Sequence, residues 1–313
     1  MNTELSEEAL EYGEIALKAF EAAGGDELAI RAEAEPEQRE ALVAPVLEEL
    51  GAWELDPRAG TDEAEAAAAL CRAAGSWAVA APIAERLARP TDVEAAGLVV
   101  VDGATPQAAI AGLGGTWMAV DLDGRRSIAH AVAGPVHPRR DRYVAVLDLE
   151  PLDDAGVRDL ALGLVLPCWT LLGMLDRALD LTRAYVVERR QFGQPIAKFQ
   201  GVQFQLTEAE VDRTGLDVLA KYALWSFATD RPEALDDALA LRAAALEAAD
   251  TVFRVSHQLH GAIGFCDEAA LSWVSRASVA IRRLPTGLAA TRARLVRQVG
   301  RRGLSGLFDD TAG

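Results

Sequence analysis

Glu188-Arg-Arg-Gln-Phe-Gly-Gln-Pro-Ile-Ala-Lys-Phe-Gln-Gly-Val-Gln203 separates two long amphipathic runs, and reading it as a break between helices organises the rest of the chain. Upstream, Leu172, Leu175, Leu179 and Val186 recur at helical spacing in a run that ends near Arg190. Pro195 cannot continue a helix and Gly193 readily takes a turn conformation, so the segment between them is a connection. Downstream, helices are expected at about 199–228, 232–261 and 286–301. Four antiparallel helices with short connections predict a bundle over 151–313.

Working outward, residues 89–150 change texture. Gly97 to Val101, Ala108 to Leu113, Trp117 to Asp121, Ser127 to Val132 and Tyr143 to Leu147 are short apolar runs split by Asp-Gly and Gly-Gly turns, which predicts a small β domain. Residues 1–88 return to helical patterns at Leu5 to Ala23, at Gln38 to Leu50 and in an alanine-rich stretch from Asp62 to Leu87. Pro57 and Gly60 break the chain before that stretch and Thr61-Asp62 suits a helix cap. The expected fold is mostly α with a reduced middle β domain, in three regions: 1–88, 89–150 and 151–313.

Composition narrows the function. The chain has 313 residues, 50% hydrophobic and 25% charged, an ordinary globular balance. No window reaches the ~18 uninterrupted apolar residues of a membrane span, and the acidic N-terminus is unlike a secretory signal, so a soluble, cytoplasmic protein is expected. The net charge of -17 argues against nucleic acid and anionic membranes as partners. It is unevenly spread: residues 1–70 hold nineteen acids against four bases. Residues 271–313 hold eight arginines (Arg276, Arg282, Arg283, Arg292, Arg294, Arg297, Arg301 and Arg302) against two acids. These arginines either meet a phosphate or an acidic partner, or coat a solvated helix face. Cys71, Cys168 and Cys266 are odd in number and sit in apolar or alanine-rich surroundings, as reduced core thiols would. His130, His137, His257 and His260 show no metal-ligand spacing.

Two motifs carry chemistry. In the first, Arg189 or Arg190 offers a planar fork of charged donors suited to phosphate oxygens, and the break at Phe192-Gly193 lets backbone amides approach a ligand. A helix C-terminus closed by positive charge is the competing reading. The second motif is His257-Gln-Leu-His-Gly-Ala-Ile-Gly-Phe265, where Gln258 and His260 could equally serve as helix-end hydrogen-bonding groups. The pair, in this order, resembles the E-R-x-x-F-G-x-x-I-x-x-x-Q and Q-x-H-G-G-x-G-[FY] segments of the acyl-CoA dehydrogenase family, with Arg276 where that family has an arginine. The resemblance implies FAD as cofactor, with Arg189, Gln191 and Phe192 touching the FAD of a neighbouring subunit. Gln200, which ends the first motif, belongs with them. Gln258, Gly261 and Ala262 correspond to the segment that meets the adenosine part.

The sequence also departs from the family. Dehydrogenation of an acyl-CoA needs a carboxylate to remove the α proton while the flavin accepts hydride. Ungapped counting puts the family's two alternative base positions at Pro285 and Gly163, so neither catalytic carboxylate is present. The β domain lacks the T-E-x-x-x-G-S-D and W-I-T-N-like segments that hold the flavin ring; Trp117 and Asp102-Gly103 are poor substitutes. That combination is similar to the shortened, base-less subunit of heterotetrameric (α2β2) acyl-CoA dehydrogenases of the actinobacterial steroid side-chain type. It implies a longer partner subunit that carries the base, an acyl-CoA substrate and an electron-transfer flavoprotein-like acceptor. Two other readings stay open. One is a self-sufficient homo-oligomeric enzyme with its base relocated to Asp176 or Asp180; the other is a non-catalytic scaffold.

Overall fold

A computed structural model describes residues 4–132 and 142–300; His137, Arg301 and Arg302 lie outside them. The chain begins with α1 (Glu7–Ala22), α2 (Glu27–Ala34), α3 (Ala44–Glu49), α4 (Thr61–Ser76) and α5 (Ile83–Leu87). Ser6 caps α1 by accepting the Ala9 N–H at 3.3 Å, and Glu7 and Glu8 favour its positive end. The sheet follows with β1 (Leu98–Val101), β2 (Gln107–Ala108), β3 (Trp117–Asp121), β4 (Arg125–Ala131) and β5 (Ala145–Ala155). Its order is β1-β3-β4-β5-β2, with β1 and β3 parallel and the other pairs antiparallel.

The remainder is helical: α6 (Val157–Glu188), a hairpin of β6 (Arg190–Gln191) and β7 (Gln194–Pro195), α7 (Gln200–Ala228), α8 (Ala234–His260), α9 (Ala270–Arg283) and α10 (Leu288–Gly300). Helix α6 is the axis of the molecule, packed against α4, α7, α8 and α9. It is long and apolar enough to cross a membrane, yet 78% of its most apolar window is buried inside the protein. Its contact with α4 is backbone on backbone. A Cβ on Gly173 would lie 1.9 Å from the Arg72 carbonyl oxygen, and one on Gly75 2.0 Å from that of Thr170. The alanine richness of α4 follows, since only Ala64, Ala67, Ala68 and their like fit so close an approach.

Ion pairs tie the regions together. Buried Arg126 on β4 reaches Asp92 and Asp154 at 2.7 Å and Asp159 at the start of α6, while Arg58 reaches the same Asp159 at 2.6 Å. Arg39, also buried, donates to the carbonyls of Pro36, Ala109 and Ala111 and stacks on Tyr143, joining the N-terminal helices to the sheet.

Several expectations need correction. The alanine-rich stretch is two helices, broken between Trp77 and Pro82, and Gln38 to Leu50 is mostly turn before the short α3. Ala108 to Leu113 contributes one strand residue, whereas β5 runs on to Ala155 through Pro151. Beyond its short pairing with β2, that part of β5 lies along the edge of the sheet, where proline costs no ladder bond. An additional helix, α9, packs against α6 and α8. Cys266 is exposed and not a core thiol, unlike Cys71 and Cys168.

Candidate functional site

The first motif folds as a two-residue hairpin turned at Phe192 (φ 51°) and Gly193 (φ 82°). Positive φ at both central residues is what a type I′ turn requires, and glycine supplies it without strain at one of them. Arg189 ends α6 with its N–H on the Tyr185 carbonyl at 2.8 Å, and its own carbonyl accepts the Ile196 N–H at 2.8 Å, which closes the base of the hairpin. Pro195 has no N–H to extend the ladder, and α7 starts five residues later. Arg190 donates back to the Gly193 carbonyl at 3.1 Å. The Arg189 guanidinium has no hydrogen-bonding or ion-pairing partner among the described residues. Phe192 is 93% exposed at the tip and makes an edge contact with Phe199 at 6.1 Å.

The second motif stands beside the first. His260, the last residue of α8, stacks on Tyr185 of α6 at 4.4 Å and holds the Ser256 carbonyl at 2.8 Å through Nδ1. His257 stacks on Phe265 at 4.2 Å and bonds Ser275 Oγ at 2.9 Å. Burial lowers both imidazole pKa values, helped at His257 by nearby His260 and Arg282, so both rings are neutral at pH 7. His260 is therefore a positioning residue between two helix ends. Gly261 ends α8 at φ 66° and ψ −146°, a conformation in which a Cβ is strained. Arg189, Gln191, Phe192, Gln200, Gln258, Gly261 and Ala262 are all exposed, and the Tyr185–His260 stack sets their two segments at one end of the bundle. A guanidinium and three side-chain amides (Gln191, Gln200 and Gln258), none with a partner among the described residues, form with the glycine backbone a donor set that fits a phosphate-bearing group, presented as one wall.

The two positions expected to lack a base, Gly163 on α6 and Pro285 after α9, line the same cavity of about 50 Å³. Arg242 of α8 enters it. Its guanidinium donates to the carbonyls of Ile281 (3.0 Å), Leu284 and Thr286 (3.1 Å), satisfying the end of α9 and fixing the Pro285 loop. Burial pushes its pKa down, while the negative end of α9 favours its charge. Glu85 on α5 lines the cavity too, and its carboxyl pKa is raised by desolvation. Sequence reasoning missed it, because nothing in Pro82-Ile-Ala-Glu-Arg distinguishes it from a helix-surface acid.

Asp176 and Asp180 are elsewhere. Asp176 is ion-paired to Arg72 at 2.7 Å and Arg213 at 3.4 Å, and Asp180 to Arg183 at 3.0 Å. Both face a groove bounded by α1, α4 and α6, not the cavity of Gly163 and Pro285. Trp117 is wholly buried in the sheet core. Of the C-terminal arginines, Arg276 pairs with Asp267 at 2.8 Å, Arg282 stacks on Phe253, Arg292 pairs with Glu247 and Arg294 with Asp123, so these four already have partners within the chain.

Residues 159–298 match the family model described as acyl-CoA dehydrogenase, C-terminal domain. Acyl-CoA dehydrogenase FadE28 of Mycobacterium tuberculosis is 33% identical over 164 residues, 47% of this chain and 48% of that protein. The chain thus spans about half the length of that relative. In fold it is similar to a chain of the ChsE4-ChsE5 complex of M. tuberculosis, at TM-score 0.79 and 17% identity, covering 97% of this chain and 100% of that one. It is also similar to the Tcur3481-Tcur3483 steroid ACAD, at TM-score 0.73 and 19% identity, covering 94% and 98%.

Proposed function

We propose that this chain, whose residues 159–298 match the acyl-CoA dehydrogenase C-terminal domain, is a member of that family and the base-less subunit of a heteromeric enzyme that shares one FAD site with a longer partner. The reaction assigned to the complex is α,β-dehydrogenation of a CoA thioester, with a steroid side chain as the substrate class. FAD, when bound, supplies the hydride acceptor. This chain contributes binding and not proton transfer. Arg189 offers a charge-assisted fork to a pyrophosphate oxygen, Gln191 and Gln200 add neutral donors, Phe192 packs across the interface, and Gln258 with the Gly261-Ala262 backbone meets the adenosine part.

The observation that carries this reading is the exposure of the whole donor set on one bundle end, with the Arg189 guanidinium free of partners among the described residues. A charged fork without a partner among the described residues, beside an exposed aromatic tip, has the form of a half-site that an opposing surface would complete. The substrate class rests on likeness of fold to the Tcur3481-Tcur3483 steroid ACAD, and the partner on that likeness together with the one to the ChsE4-ChsE5 complex. The competing homo-oligomeric reading has less support, since Asp176 and Asp180 serve ion pairs away from the cavity.

Co-expression tests the proposal. The chain alone purifies without flavin, and with a longer family member bearing a base and a flavin-ring segment it yields a yellow complex. Stoichiometric FAD on the lone chain, or a complex that forms and stays colourless, overturns it.

A further inference from the structure

Arg89, two residues beyond α5, is held in place without an opposite charge to meet. Its N–H bonds the Arg86 carbonyl at 3.2 Å, its own carbonyl accepts from Arg58 at 3.0 Å, and Pro90 follows. The side chain is half-buried, and Nη2 donates to the Trp53 carbonyl at 2.8 Å. No carboxylate pairs with it among the described residues, and its Nε and Nη1 are neither hydrogen-bonded nor buried. Backbone and one nitrogen are thus fixed, while the other two nitrogens remain open to a ligand.

Arg89 lines a pocket of about 380 Å³ between α3, α5 and the chain leading into β1, with Leu47, Trp53, Ile83 and Ala95 as its apolar lining. Arg86 lines it as well, but its charge is matched: Glu40 accepts from Nε at 2.5 Å and from Nη2 at 2.7 Å, and the Ala96 carbonyl accepts from Nη1 at 2.9 Å. The pocket therefore carries one guanidinium without a counter-charge against apolar walls. A carboxylate placed there gains charge-assisted hydrogen bonds while its apolar body leaves water, whereas a dianion would bring a second negative charge close to Glu40. The pocket shares no residue with the cavity beside Gly163 and Pro285, and none with the donor set at the end of the bundle. Ala81, Pro82 and Ile83 stand between it and the inner cavity that reaches Tyr143.

We propose that Arg89 anchors a binding site for a monocarboxylate with a compact apolar body, the carboxylate on the guanidinium and the body against Trp53, Leu47 and Ile83. The site is built by this chain alone and needs neither flavin nor a partner subunit.

The test uses the full chain, in its complex where that is how it purifies, titrated with phenylacetate and with its neutral analogue phenylacetamide and followed by saturation-transfer NMR; inorganic phosphate serves as competitor, against chloride at the same ionic strength. Phenylacetate binds about tenfold or more tightly than phenylacetamide, and phosphate displaces it no better than chloride does. Arg89→Leu weakens phenylacetate by about tenfold or more and removes its preference over the amide, while Arg89→Lys, which keeps the charge, loses less. Ala95→Leu, which fills the apolar wall and leaves Arg89 in place, weakens acid and amide alike. The preference for acid over amide is read on the wild type, so it stands whatever a variant does to folding. Equal affinity for acid and amide overturns the proposal. So do undiminished binding by Arg89→Leu, displacement by phosphate beyond the chloride control, and the absence of phenylacetate binding to wild type.

Discussion

Replacing Arg189 with alanine separates a ligand-binding residue from a structural one. The guanidinium is exposed and has no partner among the described residues, and the residue's structural work is done by its backbone, which ends α6 and closes the hairpin through Ile196. Its removal should therefore shift folding stability by no more than about 0.5 kcal/mol, about 2 °C or less in melting temperature for a chain of this size. The contact proposed for it is charge-assisted, and losing one such contact to a phosphate costs about 1.5–3 kcal/mol, or roughly 10- to 140-fold in FAD affinity. Arg189→Lys keeps the charge and loses the fork, so its affinity should fall between the two. The assay pairs thermal unfolding of the apo-complex with fluorescence titration of FAD into it. Unchanged FAD affinity in the alanine variant would refute the reasoning, as would a loss of stability large enough to explain the weaker binding.

Gly173→Ala should destabilise by at least about 1–3 kcal/mol, because its Cβ meets backbone atoms of Arg72 that no rotamer change can move; chemical denaturation measures it. Native thiol titration should label Cys266 and leave Cys71 and Cys168 unreactive until unfolding, since burial raises both thiol pKa values, that of Cys168 to about 11. The Glu85 carboxyl titrates above its ordinary value of 4.5 in the folded state, so the unfolded chain ionises first. Stability is then full below about 4.5 and declines as pH rises toward the folded value. Glu85→Gln should flatten that decline and become the more stable protein at neutral pH, and parallel stability curves for the two proteins would count against the assignment.

Local signals in the sequence were sufficient where one residue type decides the conformation. Pro195 and Gly193 mark the hairpin, and the leucine spacing marks α6. They failed where tertiary contact decides. Pro151 reads as a strand breaker, and only the edge position of that part of β5 makes it acceptable. The α9 segment, rich in serine and arginine between two interruptions, resembles a loop until Leu271 and Val274 are seen buried against α6 and α8. At the site, Arg189, Gln191 and Gln258 could be named because they sit in continuous motifs. Glu85 and Arg242 could not, since they reach the Gly163–Pro285 cavity from helices far apart in sequence, and an isolated acid or arginine on a helix reads as surface.

On the proposed function, this chain holds FAD from one side and builds no flavin site of its own. Flavin released from the purified complex of this chain with its longer partner, counted against protein of known mass, tests it most directly. Two FAD per α2β2 tetramer is the predicted value, because only the partner's two chains supply a base and a ring pocket. Four FAD per tetramer would contradict it, and would mean that the reduced β domain beside Gly163 and Pro285 accommodates a flavin after all.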